Sequence, residues 1–271
     1  MLFAAVSPTA EALGRVPWIT NSTIGAVVTV VLIVAFVQVA TRRLALVPAG
    51  AQNFLEWVLE SLFGIVESIL GERLTRKVLP LLTAYFIFIL TANWSGLFPG
   101  VGSIGWLRDG EFVPILRGAN ADLNMTLALG LSFMVIWFVW TIQEVGLWGF
   151  IKHNFGPKGL LETKGLSGVV KAATRGMNLF LGFVFILAGV IELISIASRA
   201  LSLPMRLYGN IYGGESLLHK LASFGPVIGT LVSIPGYALE LLVGLIQAMV
   251  FLLLCAVYVR LSAGGEEDEP H

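Results

Sequence analysis

Long apolar runs, almost free of charged side chains, determine the environment in which this chain can fold. The first, "TIGAVVTVVLIVAFVQVAT" at residues 23–41, carries no charge. Its length suits one crossing of a ~30 Å hydrocarbon core, which takes about 20 helical residues. Only 13% of the 271 residues are charged and mean hydropathy is +0.86, whereas soluble domains are ~25% charged. The sequence therefore predicts an all-α polytopic membrane protein.

The runs divide a single membrane domain, residues 1–271, into segments. Before the first span lies an N-terminal segment at 1–22, which lacks the pattern of a cleavable signal peptide. We expect a second span at 78–98 and a third at 123–151. An acidic tail at 263–271 follows the last apolar run.

Residues 52–71 differ from the spans because carboxylates recur within one helical face. Glu56, Glu60 and Glu67 are spaced at i, i+4 and i+11, with large apolar side chains elsewhere. Three carboxylates in one span would be costly. We therefore predict an amphipathic helix at the membrane interface, or docked on other helices, rather than a further span.

Two apolar runs near the C-terminus, 178–221 and 225–262, are too long to cross upright. As unbroken helices each would measure about 60 Å, against a hydrocarbon thickness of ~30 Å. We predict a hairpin of two long, tilted helices joined by a turn near Gly225-Pro226. Gly213-Gly214 and Pro235-Gly236 are candidate breaks or bends.

Lys and Arg concentrate in the loops that follow the first and third spans. The loop between the second and third spans carries only Arg108 and Arg117. The positive-inside rule then places the N-terminus outside and the C-terminus in the cytoplasm.

A polar stripe runs through the apolar segment 178–221. Its members are 3, 4, 3, 4 and 4 residues apart, which keeps them on one helical face. The alternative is that the serines allow close helix packing while the charged side chains snorkel. The stripe comprises Glu192, Ser195, Arg199, Ser202, Arg206 and Asn210.

Arg206 needs a counter-charge that its own helix does not offer. A central arginine costs about 2.5 to 3.5 kcal/mol in a membrane and it stays charged. No carboxylate lies three or four residues away, and Glu215 falls on the opposite side of the helix. We expect water, or an acid from another chain, to face Arg206.

Antiparallel packing of the last two helices would gather a second polar set. Glu215 precedes His219 by one turn, and Glu240 precedes Gln247 by seven residues. Glu240 would then approach Glu215, and Gln247 would approach the level of Arg206. Two adjacent carboxylates would tend to share a proton. For Gln247, a plain interhelix hydrogen bond is an equal alternative.

Three motifs carry a resemblance to a known family. "LSLPMRLYGNIYGGE" at 201–215, "ELLVGLIQAMVF" at 240–251 and "NADLNMTLALG" at 120–130 resemble subunit a of the F-type rotary ATP synthases. The resemblance covers nearly the whole chain, in order. It implies a membrane stator beside a ring of c subunits, with b subunits of the peripheral stalk as further partners. It places the chain in the bilayer of an energy-coupling membrane, the bacterial plasma membrane.

The resemblance also implies roles for individual residues. Arg206 would face the carboxylates of the c-ring, and Glu215 would be the acid of the outer half-channel. Glu240 stands where many relatives have histidine. Glu192 matches an acid of the inner half-channel, and Asp122 an acid of the loop into the third span. The candidate ion-translocation residues are therefore Arg206, Asn210, Glu215, Glu240, Gln247, Glu192, Asp122, Ser202 and His219.

One position departs from the family pattern in a way that bears on the backbone. Pro204 stands where relatives have Gly, Ala or Ser, and proline inside a helix removes a backbone hydrogen bond. We expect a kink just before Arg206 unless neighbouring helices absorb it. The ion, H⁺ or Na⁺, stays open.

Other function classes fit the sequence less well. A self-contained secondary transporter favours internal repeats, and none is visible. An intramembrane hydrolase needs a clustered nucleophile and base or metal ligands, but the three histidines are scattered. No P-loop is present in the sequence, so no nucleotide site is expected, and a net charge of zero gives no reason to expect nucleic acid as a partner. We also expect no catalytic site, cofactor or metal. A purely structural scaffold leaves the stripe unexplained.

Overall fold

The computed structural model describes residues 20–98, 101, 105–108, 111–155, 168–225 and 227–263. The predicted N-terminal segment, except its last residues, and all but the first residue of the acidic tail lie outside this part of the chain. Within it, the helices are α1 (Asn21–Thr41), α2 (Ala51–Ser95), α3 (Leu123–Val145), α4 (Leu147–Phe155), α5 (Gly168–Ala222) and α6 (Ile228–Ala263).

Five of these helices, α1, α2, α3, α5 and α6, are long and apolar enough to cross a membrane. The predicted class, an all-α polytopic membrane protein, is confirmed. A small addition lies between α2 and α3, where β1 (Gly105–Arg108) and β2 (Glu111–Pro114) form an antiparallel hairpin. A 3-10 turn, Ala119–Ala121, follows it. We call this side of the helix bundle, where the β1–β2 hairpin lies, the hairpin end.

The predicted interfacial helix, 52–71, and second span, 78–98, lie on either side of a kink in α2. α2 runs from Ala51 to Ser95 and bends at Gly71, which adopts φ 74° and ψ 164°. The charged residues that follow Gly71 are helical, and Glu72 pairs with Arg76 at 2.8 Å over one turn. The kink separates the two predicted segments at residue 71, and the charged residues between 71 and 78 extend the second helix beyond its predicted start.

The predicted third span, 123–151, is divided in the structure. α3 ends at Val145 because Gly146 turns to φ 75° and donates its N–H to the Ile142 carbonyl, and α4 starts anew at Leu147. Hydropathy does not mark this boundary, since apolar residues continue across it.

The last two helices form the predicted hairpin and turn at Gly225, whose φ is 103°. Pro226 lies outside the described residues. Neither candidate position, Gly213-Gly214 or Pro235-Gly236, breaks its helix, because α5 and α6 continue through them as the predicted pair of long helices requires. With 55 residues, α5 is about 80 Å long at ~1.5 Å per residue, so it must tilt or project beyond the hydrocarbon.

Pro204 does not break α5, because α3 leaves room for its ring. The helix is continuous through Pro204. The ring packs directly against Gly130 of α3, where an added Cβ would lie 2.8 Å from the proline Cδ. The neighbouring helix thus accommodates the proline, as the sequence-based expectation allowed.

α6 lies at the centre of the bundle, in contact with α2, α3 and α5. Its Phe251 packs with Tyr85 of α2 and Phe133 of α3 at ring distances of 5.6 and 6.3 Å. Near the hairpin end, Asn93 and Trp94 of α2 donate hydrogen bonds to α6 carbonyls, each at 3.1 Å. α5 is far less covered: of its most apolar stretch of 18 residues 6% is buried, against 50% of the corresponding stretch of α6. The bundle therefore leaves one long apolar face of α5 open.

Gly130→Ala is expected to destabilise the protein by about 1 to 3 kcal/mol, the usual range for overpacking. The new methyl group would collide with the rigid ring of Pro204. Thermal unfolding in detergent measures the effect.

Two further variants test the cause. Pro204→Ala should restore most of the stability that Gly130→Ala removes, because it deletes the ring. Gly64→Ala is the matched control, since a Cβ added at Gly64 would have no atom within 4 Å. Equal losses in Gly64→Ala and Gly130→Ala would contradict the contact.

Candidate functional site

At the hairpin end, an ion pair joins the segment between α2 and α3 to α5. Nη2 of Arg117 lies 3.0 Å from Oε2 of Glu215, and Nε lies 3.3 Å from the same oxygen. The arginine side chain is 3% exposed and the glutamate side chain 27%. Arg117 is therefore a buried cation with a carboxylate partner.

The chain around Arg117 is held by contacts with several helices. The 3-10 turn after it touches α1, α2, α3 and α5. A Cβ on Gly25 of α1 would overlap the carbonyl oxygen of Arg117, so α1 and this segment meet backbone to backbone. Asn120 donates to Oδ1 of Asn93 at 2.7 Å, which fastens the segment to α2.

Glu240 of α6 lies opposite this ion pair. It is 6% exposed, and its carboxylate occupies the space where Gly214 of α5 lacks a side chain. Glu215 and Glu240 line one cavity of about 110 Å³, together with Asn93 and Tyr237. A cavity needs roughly 10–15 Å³ of this kind of volume to hold one water molecule, so this one has room for several. The two carboxylates meet as the antiparallel packing predicts.

A hydrogen bond joins α5 to α6 farther from the hairpin end. Nδ2 of Asn210 donates to Oε1 of Gln247 at 2.7 Å. Gln247 is 4% exposed, while Asn210 lies on the open side of α5. Gln247 therefore reaches the turn of α5 next to Arg206, and the predicted interhelix hydrogen bond is present.

Arg206 lies on the open face of α5, one turn from Asn210. Its side chain is exposed, between the exposed apolar residues Leu201 and Met205 and the polar turn beyond. Among the residues that the structure describes, none forms a hydrogen bond or an ion pair with Arg206. The guanidinium is thus presented outward from the bundle.

The other half of the stripe forms contacts of its own. Glu192 lies 3.9 Å from Arg199, whose guanidinium carbon sits 5.3 Å from the centre of the Tyr258 ring. Ser202 donates to the Arg199 carbonyl at 3.4 Å and is exposed. Glu192, Arg199 and Ser202 lead along α5 to Arg206 from the end opposite the hairpin.

Two predicted site residues stand apart from this arrangement. Asp122 caps α3, where its Oδ1 accepts from the Asn124 N–H at 3.0 Å. It is buried, but the cavity lining includes its neighbour Ala121 rather than Asp122 itself. The side chain of His219 lies outside the described residues.

Sequence reasoning missed Arg117, Asn93 and Gly214. Arg117 entered only as a loop cation, although it is one of two basic residues in that loop and lies shortly before the "NADLN" motif. Gly214 was a candidate break, but its role is to admit the Glu240 carboxylate. Nothing in the sequence around Asn93 signals its place in the cavity.

Comparison with known proteins gives consistent results. The family described as "ATP synthase A chain" matches residues 23–260. The chain is similar to "ATP synthase subunit a" of Solidesulfovibrio magneticus, with 35% identity over 89% of this chain and 82% of the relative. Proteins of the same name from Moorella thermoacetica and Gloeobacter violaceus are 31% and 32% identical. These cover 91% and 90% of this chain, and 92% and 82% of the relatives.

Two adjacent glycines provide a matched test of the site geometry. Gly214→Ala should destabilise the protein by about 1 to 3 kcal/mol, because its methyl group would overlap the Glu240 carboxylate. Gly213→Ala meets no atom within 4 Å and should be neutral or stabilise by up to ~1 kcal/mol through helix propensity. Thermal unfolding in detergent compares them, and equal midpoints would show that Glu240 does not occupy this place.

Proposed function

The chain belongs to the ATP synthase A chain family, and from this premise we propose that it is the ion-translocating stator subunit of a rotary ATP synthase. It is a multi-pass membrane protein and a component of the ATP synthase complex. In the proposal, two aqueous half-channels end on either side of Arg206. Carboxylates of a rotating c-ring exchange ions with both.

The observation that carries the proposal is the outward position of Arg206. Its side chain is exposed on the apolar face of α5 that the bundle leaves uncovered. A guanidinium in hydrocarbon is costly and does not lose its charge. It therefore requires an acid from outside the chain, and the carboxylate of a c subunit at mid-membrane is that acid.

The cavity at the hairpin end supports one half-channel. Glu215 and Glu240 line it, and Asn210 and Gln247 lie between it and Arg206. Carboxylates accept and release protons, while amides offer donors and acceptors to water. A proton could thus pass from this end toward the arginine through polar groups of α5 and α6.

The opposite part of the stripe supports the other half-channel. Glu192, Arg199 and Ser202 follow one face of α5 up to Arg206, and the Glu192 side chain is 46% exposed. Polar groups therefore approach Arg206 from both directions along one helix. The positive charge between them prevents a proton from crossing directly.

Coupling in this proposal is electrostatic. A ring carboxylate takes up an ion from one half-channel, becomes neutral and can be carried through lipid. Beside Arg206 the ionised form is favoured, so the ion is released into the other half-channel. Each charge that crosses contributes about 2.3 kcal/mol per 100 mV. The subunit needs no catalytic site of its own, since nucleotide chemistry takes place elsewhere in the complex.

Assembly and orientation are part of the same proposal. The open face of α5 receives the c-ring, and b subunits of the peripheral stalk hold the stator in place. In the bacterial plasma membrane the N-terminus lies outside and the C-terminus in the cytoplasm. The basic loops after the first and third predicted spans support this orientation.

Replacement of Arg206 tests the proposal directly. Arg206→Ala in the assembled complex should abolish ATP-driven ion pumping and coupled ATP synthesis, because no fixed charge would favour release. Arg206→Lys should pump poorly, since lysine loses its proton more readily when desolvated. Pumping and synthesis in reconstituted vesicles are the measurements.

Arg260→Ala is the matched control, because Arg260 is an exposed arginine in the last turn of α6. It should pump normally. Normal coupled synthesis by Arg206→Ala would overturn the proposal. Ion transport by the purified chain without a ring would favour the self-contained secondary transporter instead.

The identity of the ion has its own experiment. We expect ATP-driven pumping in vesicles to proceed without Na⁺ and to collapse with a protonophore, because carboxylates and water carry protons along the proposed path. Acidification is followed with a pH-sensitive dye. Pumping that requires Na⁺ and resists the protonophore would assign Na⁺ as the ion.

A further inference from the structure

Among the described residues, the two carboxylates at the hairpin end have one guanidinium between them, and it contacts one of the two. Two carboxylates, Glu215 and Glu240, line one cavity, and one buried guanidinium, Arg117, forms an ion pair with the first of them. Both Nε and Nη2 of Arg117 point to the same oxygen of Glu215. No ion pair joins Glu240 to any residue that the structure describes.

The neighbouring elements bring little further charge to these acids. α1 and residues 78–95 of α2 contain no charged residue. In α6 the other charged residue is Arg260, 20 positions from Glu240, or about 30 Å along the helix. The titratable Tyr237 also lines the cavity.

The remaining groups belong to α3 and α5, and on α5 Arg206 lies nine positions before Glu215, about 13 Å along the helix. Asp122 is engaged at the start of α3, where it accepts the Asn124 N–H. Lys220 is exposed near the end of α5. The His219 side chain lies outside the described residues. Among the described residues, Arg117 is thus the cation that forms an ion pair with Glu215.

We propose that Arg117 is a positioning residue that keeps Glu215 ionised and in place, and thereby makes Glu240 the group that holds and releases the exchangeable proton at this end. The inference rests on the proposed function. It assigns different tasks to two carboxylates that are chemically alike.

The physical reason is the difference in their surroundings. An opposite charge at hydrogen-bonding distance favours the ionised form of a carboxylate, and arginine keeps its charge when buried. A second carboxylate near an ionised one, without a cation, favours the protonated form. Arg117 and an ionised Glu215 are neutral together, and a protonated Glu240 adds no charge to this pair.

The backbone around Arg117 supports a fixed position rather than a chance contact. Gly25 admits the Arg117 carbonyl, and the hydrogen bond from Asn120 to Asn93 holds the segment that follows Arg117 against α2. A side chain that is 3% exposed has few alternative places for its charge. Loss of the guanidinium would leave Glu215 without its counter-charge inside the protein.

The first experiment labels protonated carboxyl groups in the assembled complex with dicyclohexylcarbodiimide across a range of pH. Mass spectrometry then reads the modification at Glu215 and Glu240 separately. We expect Glu240 to be modified at least tenfold more than Glu215 near neutral pH. In Arg117→Gln, modification of Glu215 should rise to within about threefold of Glu240, whereas Arg117→Lys should keep the original pattern.

The second readout is the pH profile of ATP-driven pumping. Arg117→Gln should move the half-maximal point by about one unit toward alkaline pH, the lower end of the effect of a neighbouring charge. The carboxylates would then hold protons more tightly. Arg117→Lys should shift it less, and Arg260→Gln not at all. In a Glu215→Gln background, the shift caused by Arg117→Gln should differ from its shift in the unaltered complex, because the two residues interact directly.

Equal modification of Glu215 and Glu240 in the unaltered complex would overturn the proposal, as would an unchanged pattern in Arg117→Gln. If Arg117→Gln does not assemble, the labelling ratio of Glu240 to Glu215 in the unaltered complex and in Arg117→Lys still tests the proposal. The labelling pattern does not depend on pumping, and Arg206→Ala should leave it intact. Failure of this inference is therefore separate from failure of the proposed function.

Discussion

The charge of a single guanidinium in an apolar helix is the constraint on which the rest of this structure depends. Arg206 cannot discard its charge, and α5 offers it no acid within reach along the helix. The bundle does not bury it against a carboxylate of its own. Instead, α2, α3 and α6 form the core and α5 packs at the side with one face open. In the proposed function, a partner subunit supplies the acid for this open face.

The polar groups around Arg206 are satisfied in two distinct ways. Toward the hairpin end, contacts run between elements, with Asn210 bonded to Gln247 and Glu215 paired with Arg117. Toward the other end, Glu192 and Arg199 pair along α5 itself. The first set depends on how helices pack, so a substitution in α1 or α2 can reach it. The second set is carried by one helix and depends mainly on its spacing.

The periodicity of the sequence predicted features that lie within a single helix. It did not predict features that depend on contact with a second element. The 3- and 4-residue spacing from Glu192 to Asn210 placed the stripe, and antiparallel packing anticipated the approach of Glu240 to Glu215. At the candidate break or bend, Gly213-Gly214, the chain stays helical, and Gly214 receives a side chain from α6. The bend at Gly71 and the end of α3 at Gly146 come from positive φ angles that hydropathy does not encode.

By itself, the sequence determined the membrane environment, the helical class, the face that carries Arg206 and the family. These follow from composition, period and motif, all of which are local. Only the tertiary structure decided that Pro204 fits against Gly130, and that Arg117 rather than a residue of α5 or α6 pairs with Glu215. Arg117 and Glu215 are 98 positions apart. Contacts at such separation depend on how the segments pack in space, which no local pattern specifies.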